Sequence, residues 1–183
     1  MSYEAAINRA WDGLAKLNTA KAVSVKFLAD EYVVDIEAKK ILSSSCNAPA
    51  KDFTAILLLH YLAVKLKGLP RLTGVWLPFR ELSGVEGYLP AFRKRAIEPL
   101  IRKYGRDPKD ILGVLNKLPA EKADGADVAI ILQAFQGVPV LLKLWRQDEE
   151  FAPDANMFFD RSITAIFCTE DIVVLAGFVA ESI

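Results

Sequence analysis

Acidic side chains crowd one short stretch of the chain. Trp145-Arg146-Gln147-Asp148-Glu149-Glu150-Phe151 is followed by Asp154 and Asp160. Carboxylates so close in sequence suit two chemistries: oxygen ligation of a hard cation such as magnesium or calcium, or one shared proton held with a raised pKa for general-acid work. Asp148, Glu150 and Asp160 are the catalytic candidates on that reading. The spacing, however, follows no oxygen-ligand loop, and a chain leaving a strand needs polar residues to turn. Asp148 or Asp154 is therefore expected to cap backbone amides while Trp145 and Phe151 anchor the loop by burial, and neither a metal site nor a cofactor is expected.

A second cluster is cationic. Arg93, Lys94, Arg95, Arg102, Lys103 and Arg106 share residues 91–106 with a single acid, Glu98. Such a face suits a phosphate-bearing ligand, a nucleic acid strand or an acidic partner, with Trp76, Phe79 or Tyr88 nearby in sequence for stacking. Arg93, Arg95, Arg102 and Trp145 are the ligand-binding candidates, set against the plainer reading of a solvated helix face.

The remaining reactive side chains are few. His60, the only histidine, lies inside Ile56-Leu57-Leu58-Leu59-His60-Tyr61-Leu62 and reads as a hydrogen-bonded core residue. A zinc triad or a histidine relay would need more than one. Cys46 and Cys168 stand far apart without a C-x-x-C pair, so thiolates of one chain build neither a zinc site nor an iron–sulfur cluster. Cys168 precedes the last expected helix, where amide donors and the dipole would lower a thiol pKa, yet burial of Phe167-Cys168 in an apolar corner is the favoured expectation. Cys46, in its serine loop, is given no role. The Gly-rich phosphate loop, the dinucleotide fingerprint, the nucleophile elbow and H-E-x-x-H do not occur.

Bulk properties narrow the classes further. The 183 residues are 52% hydrophobic and 25% charged, with 23 basic and 23 acidic side chains giving zero net charge. That balance withholds the broad positive field a dedicated nucleic-acid binder uses against phosphates. The longest apolar stretch, Phe53 to Leu66, is broken by His60 and falls short of the roughly 18–20 residues of a bilayer span. The opening MSYEAAINRAWDG has no apolar signal core, so a reducing, cytoplasmic setting is expected.

These residues need elements to hold them. Tyr3, Ile7, Trp11, Leu14 and Leu17 recur at helical spacing, with Ser2 as N-cap. Val23, Val25 and Phe27, then Tyr32, Val34 and Ile36, alternate as a hairpin over about 23–37. Ser43 to Pro49 reads as loop, and an apolar helix over about Asp52–Lys67 follows, stopped by Gly68 and Pro70. Gly74 to Phe79 contains Pro78 and suits an edge strand. Leu89 to Tyr104 marks a helix that Pro99 must kink or split, ended by Gly105. Asp107-Pro108 opens a short helix to about Lys117, with Ile111, Leu112 and Leu115 inward. Pro119 to Gly125 reads as loop. Val128–Phe135, the Gln136-Gly137 turn and Val138–Trp145 make a second hairpin, about 127–145, expected at the centre of a sheet. Thr169 caps a last helix to Ile183. The expected architecture is α+β: one domain, residues 1–183, with a mainly antiparallel sheet and two hairpins packed against helices.

Gly125-x-Asp127-Val128-Ala129, Phe135-x-Gly137-Val138-Pro139-Val140, Leu144-Trp145-x-x-Asp148-Glu149-Glu150-Phe151 and Phe159-Asp160 resemble a domain family of unknown function from anaerobic bacteria and archaea. Some longer relatives carry a cysteine-rich segment similar to iron–sulfur modules of anaerobic one-carbon enzymes, which these 183 residues do not contain. The resemblance implies a setting in anaerobic redox or one-carbon metabolism. Together with the missing catalytic signatures it favours a binding or accessory module for a protein partner or a small anionic ligand, with an enzyme using the acidic cluster as the alternative. Three tryptophans and ten phenylalanines leave room for a homodimer face.

Overall fold

The computed structural model describes residues 3–17 and 21–183, and its fold is α+β with two antiparallel sheets. The expected Ser2 cap lies outside the described residues. The chain divides into two compact units, Met1–Pro70 and Arg71–Ile183.

The first unit begins with helix α1 (Tyr3–Ala15), which buries Trp11 and Leu14 at the three-residue step of one helical face. Strands β1 (Ala22–Phe27) and β2 (Asp30–Asp35) form the expected hairpin, turning through Leu28 at φ 55°. A third strand, β3 (Lys40–Ser43), extends this sheet in the order β1-β2-β3. Sequence reading did not find it. The alternation of Ile41 and Ser43 inward is too short to register, and the tight turn before it depends on the Asp35 carboxylate accepting the Ala38 N–H at 2.8 Å. Helix α2 (Asp52–Lys65) is apolar nearly all round, burying Leu57, Leu58, Leu59, Tyr61 and Leu62. Each such leucine contributes about 2 kcal/mol of burial.

In the second unit a five-stranded sheet runs in the order β4-β8-β7-β6-β5. Its middle is the predicted ribbon: β6 (Val128–Phe135) and β7 (Val138–Trp145), joined through Gly137 at φ 75°. Past the regular Gln133–Pro139 pair, a bulge brings Phe135 instead of Ala134 opposite Val138. β4 (Trp76–Pro78) is the edge strand that its proline demanded. One expectation is overturned, and one stretch left unassigned gains a strand. The polar stretch after Pro119 contains β5 (Ala120–Ala123), paired antiparallel to β6 at the far edge. The segment beyond Trp145 does not stay loop: β8 (Asp154–Asp160) returns beside β7, with Ala155, Met157 and Phe159 facing the core.

Helices line this sheet. α3 (Leu89–Phe92) passes into a π-helical turn, Arg93–Ile97, and then α4 (Glu98–Tyr104). Pro99 lacks the N–H that would bond four residues back. The helix answers with a wider turn, in which the Glu98 N–H reaches the Arg93 carbonyl five residues away. The expected short helix is a 3-10 helix, Pro108–Asn116, which buries Pro108, Ile111 and Val114 at three-residue spacing and leaves Leu112 and Leu115 half-buried. The last helix, α5 (Thr169–Ser182), is capped by Cys168 and not by Thr169. Phe92 stacks on Phe79 with centroids 4.2 Å apart and meets Phe159 edge-on at 6.4 Å, tying the α3 end to the sheet.

Candidate functional site

The acidic candidates are not one cluster. Asp148 sits in the exposed turn after β7, where its Oδ1 accepts the N–H groups of Glu150 at 2.9 Å and Phe151 at 2.7 Å. That is the capping role expected of it. Asp154 has no such role, since it opens β8 opposite Trp145. Phe151 does not anchor the loop: it is 68% exposed. Glu150 is exposed beside Asp148, but Asp160 lies at the far end of β8, and six residues of strand rise separate it from Asp154 by roughly 20 Å. Among the described residues no group of three or more His, Cys, Asp or Glu is placed to hold a metal ion.

Asp160 is instead a buried anchor. Its carboxylate accepts the Thr73 N–H at 3.1 Å, the Thr73 hydroxyl at 3.0 Å, the Gly74 N–H at 2.7 Å and the Ser162 N–H at 2.9 Å. Burial alone would push its pKa up. The hydrogen bonds from Ser162, Thr73 and Gly74 outweigh burial and bring it down to about 2. A carboxylate so held is anionic and fully engaged, caps the 3-10 turn Arg161–Ala165, and is poorly suited to general-acid work.

The expected burial of Cys168 is corrected. Cys168 is exposed while its neighbour Phe167 is buried, so only the phenylalanine fills the apolar corner. Its thiol is pushed up by desolvation and by the Asp171 carboxylate, whose Oδ2 lies 3.2 Å from Sγ and also accepts the Cys168 N–H. Cys46, exposed in the turn after β3, is lowered chiefly by hydrogen bonding to Ser43, whose hydroxyl is 3.2 Å away. His60 is half-buried on α2.

The cationic candidates are individually exposed. Phe92, Ala96, Ile97, Leu100 and Tyr104 turn inward, Arg93, Lys94, Arg95, Arg102 and Lys103 are exposed on the continuous helix 89–104, and Arg106 is exposed in the bend just after it. Glu98 lies 3.9 Å from the Arg93 guanidinium, and Lys103 donates to the Ile183 carbonyl oxygen. Lys94, Arg95, Arg102 and Arg106 are left without an acid from their own segment. Trp145, the fourth ligand-binding candidate, is on another element, half-buried at the end of β7. The two regions adjoin through Gly105 at the end of α4, whose missing Cβ would stand 2.9 Å from Pro153 just before β8. What sequence reading passed over is the π turn, which shifts Arg93–Arg95 around the axis relative to Arg102. Pro99 was its one local signal.

Residues 9–182 match the model of a domain of unknown function, DUF3786. The chain belongs to that family. The DUF3786 match spans both compact units. No curated protein and no solved structure matches the chain. No helix among the described residues of this DUF3786 protein is long and apolar enough to cross a membrane.

Proposed function

We propose that this DUF3786 protein is a binding module that docks an acidic protein partner through the exposed face of the 89–104 helix. The observation carrying this reading is segregation of charge: a chain of zero net charge places six bases and one acid in residues 91–106, every one of them exposed. Arg93, Arg95 and Arg102 are the principal contacts, with Lys94 beside them. The aromatic floor formed by Phe79, Phe92 and Phe159 gives this face a rigid base, so little ordering cost falls on binding. Exposed charges act mainly through steering, raising association rates and setting orientation. The segment resembling proteins of anaerobes supports anaerobic redox or one-carbon metabolism as the setting in which the partner is sought.

The test is retention of the whole chain on immobilised polyglutamate. Retention is expected at about 0.1 M salt and lost near 1 M, as the screening length falls from about 10 Å to about 3 Å. The double variant Arg95→Glu/Arg102→Glu should pass through unretained at either salt. Retention on duplex DNA but not on polyglutamate, or undiminished retention of the double variant, would sink the reading.

A further inference from the structure

Two neighbouring segments of the second unit, at 103–104 and 110–118, meet residues 181–183 from far along the chain around an open cavity of about 470 Å³. This lies within the roughly 300–1,000 Å³ of small-molecule sites. Its floor is apolar: Tyr104 from α4, with Val114 and Leu118 from the 3-10 segment and the turn after it, are each buried. Its rim is charged in both senses, with Lys103 and Lys117 facing the same space as Asp110 and Glu181. Gly113 leaves one wall open, since a Cβ built there meets nothing within 4 Å.

A purely anionic guest would meet two carboxylates, and a purely cationic one two ammonium groups. Only a guest bearing both charges complements the rim, and only one with an apolar body uses the floor. We infer that this cavity binds a zwitterionic aminocarboxylate with an apolar side chain, either a free amino acid or a short peptide. Lys103 already donates to the Ile183 carbonyl oxygen, so Lys117 is the cation for the guest's carboxylate. The guest's ammonium group goes to Asp110 and Glu181, near the end of α5, where the helix carbonyls add partial negative charge. Lys103 also belongs to the basic segment, but the guest's carboxylate is assigned to Lys117 and none of Arg93, Arg95 or Arg102 lines the cavity, so the variants that test the two sites are distinct.

Isothermal calorimetry on the intact chain tests the inference with L-leucine and leucyl-leucine as probes, each compared with its N-acetyl and C-amide forms. At least one free zwitterion should bind, and capping either end should weaken it by about tenfold or more, the loss of one charge-assisted hydrogen bond. Whether leucine or the dipeptide binds decides the source of the guest. Gly113→Leu fills the cavity from a position with open space and ordinary backbone angles, and should abolish binding. Should that variant melt early, Lys117→Gln decides instead: it should weaken the zwitterion while leaving the C-amide unchanged. No heat from either zwitterion, equal affinity for the capped forms, or unchanged binding by a stably folded Gly113→Leu protein overturns the assignment.

Discussion

The Asp160 carboxylate accepts the backbone N–H of Gly74 at 2.7 Å across 86 positions of sequence. With the bonds from Thr73 and Ser162, this one side chain fixes the approach to edge strand β4 and starts the turn after β8. Asp160→Ala should therefore cost about 2–4 kcal/mol in denaturant unfolding, because several N–H donors lose a charged acceptor together. Asp148→Ala, which frees only two exposed amides, should cost about 1 kcal/mol or less. Equal costs would mean that the two acids share a role after all.

The same anchor makes stability depend on pH. Asp160 has a folded-state pKa of about 2 against an ordinary 3.8, so its contribution is complete above about pH 4 and fades as the pH falls toward 2. The depression corresponds to about 2 kcal/mol. Unfolding titrations between pH 5 and about 2 should show this loss in the parent protein and a flatter profile in Asp160→Asn. Parallel profiles would contradict the hydrogen-bond assignment.

The thiols should react in a fixed order. Cys46 is lowered and Cys168 raised, so a disulfide reagent near about pH 8 should modify Cys46 first. Cys46→Ser should leave only the slow phase, and Asp171→Ala should quicken it by removing a neighbouring negative charge. Faster labelling of Cys168 in the parent protein would reverse the account.

Two glycines on either side of Asp107 should behave oppositely. A Cβ on Gly105 would stand 2.5 Å from the Ile101 carbonyl oxygen and 2.9 Å from Pro153, so Gly105→Ala should cost about 2 kcal/mol or more. Gly113→Ala meets open space and should be neutral or stabilise by up to about 1 kcal/mol. Thermal melts of both variants check the contrast.

Legibility in the sequence followed locality. The β6–β7 ribbon was readable because Val128–Phe135 and Val138–Trp145 are long apolar runs around a glycine turn. The split at Pro99 was equally plain, since a missing donor has a local consequence. β5 was hidden because an edge strand needs only one partner and tolerates Glu121 and Lys122 at exposed positions. β8 does carry the period-two alternation of a strand, with Ala155, Met157 and Phe159 inward, but Asp154 and Asp160 at its ends draw it into the acidic run before it and mask that signal. The basic face was visible, as its cations are neighbours in sequence. The anchoring role of Asp160 was not, because its donors at Thr73 and Gly74 come from the other end of the unit. The cavity beside Tyr104 left no mark either, being assembled from three separate segments.

Partner docking is tested most directly by backbone amide chemical-shift mapping of the whole chain titrated with a polyglutamate peptide at low salt. Perturbations should concentrate in residues 91–106, strongest around Arg93, Arg95 and Arg102, and vanish on adding about 1 M salt. Shifts that avoid this helix, or that persist undiminished at high salt, would contradict the account.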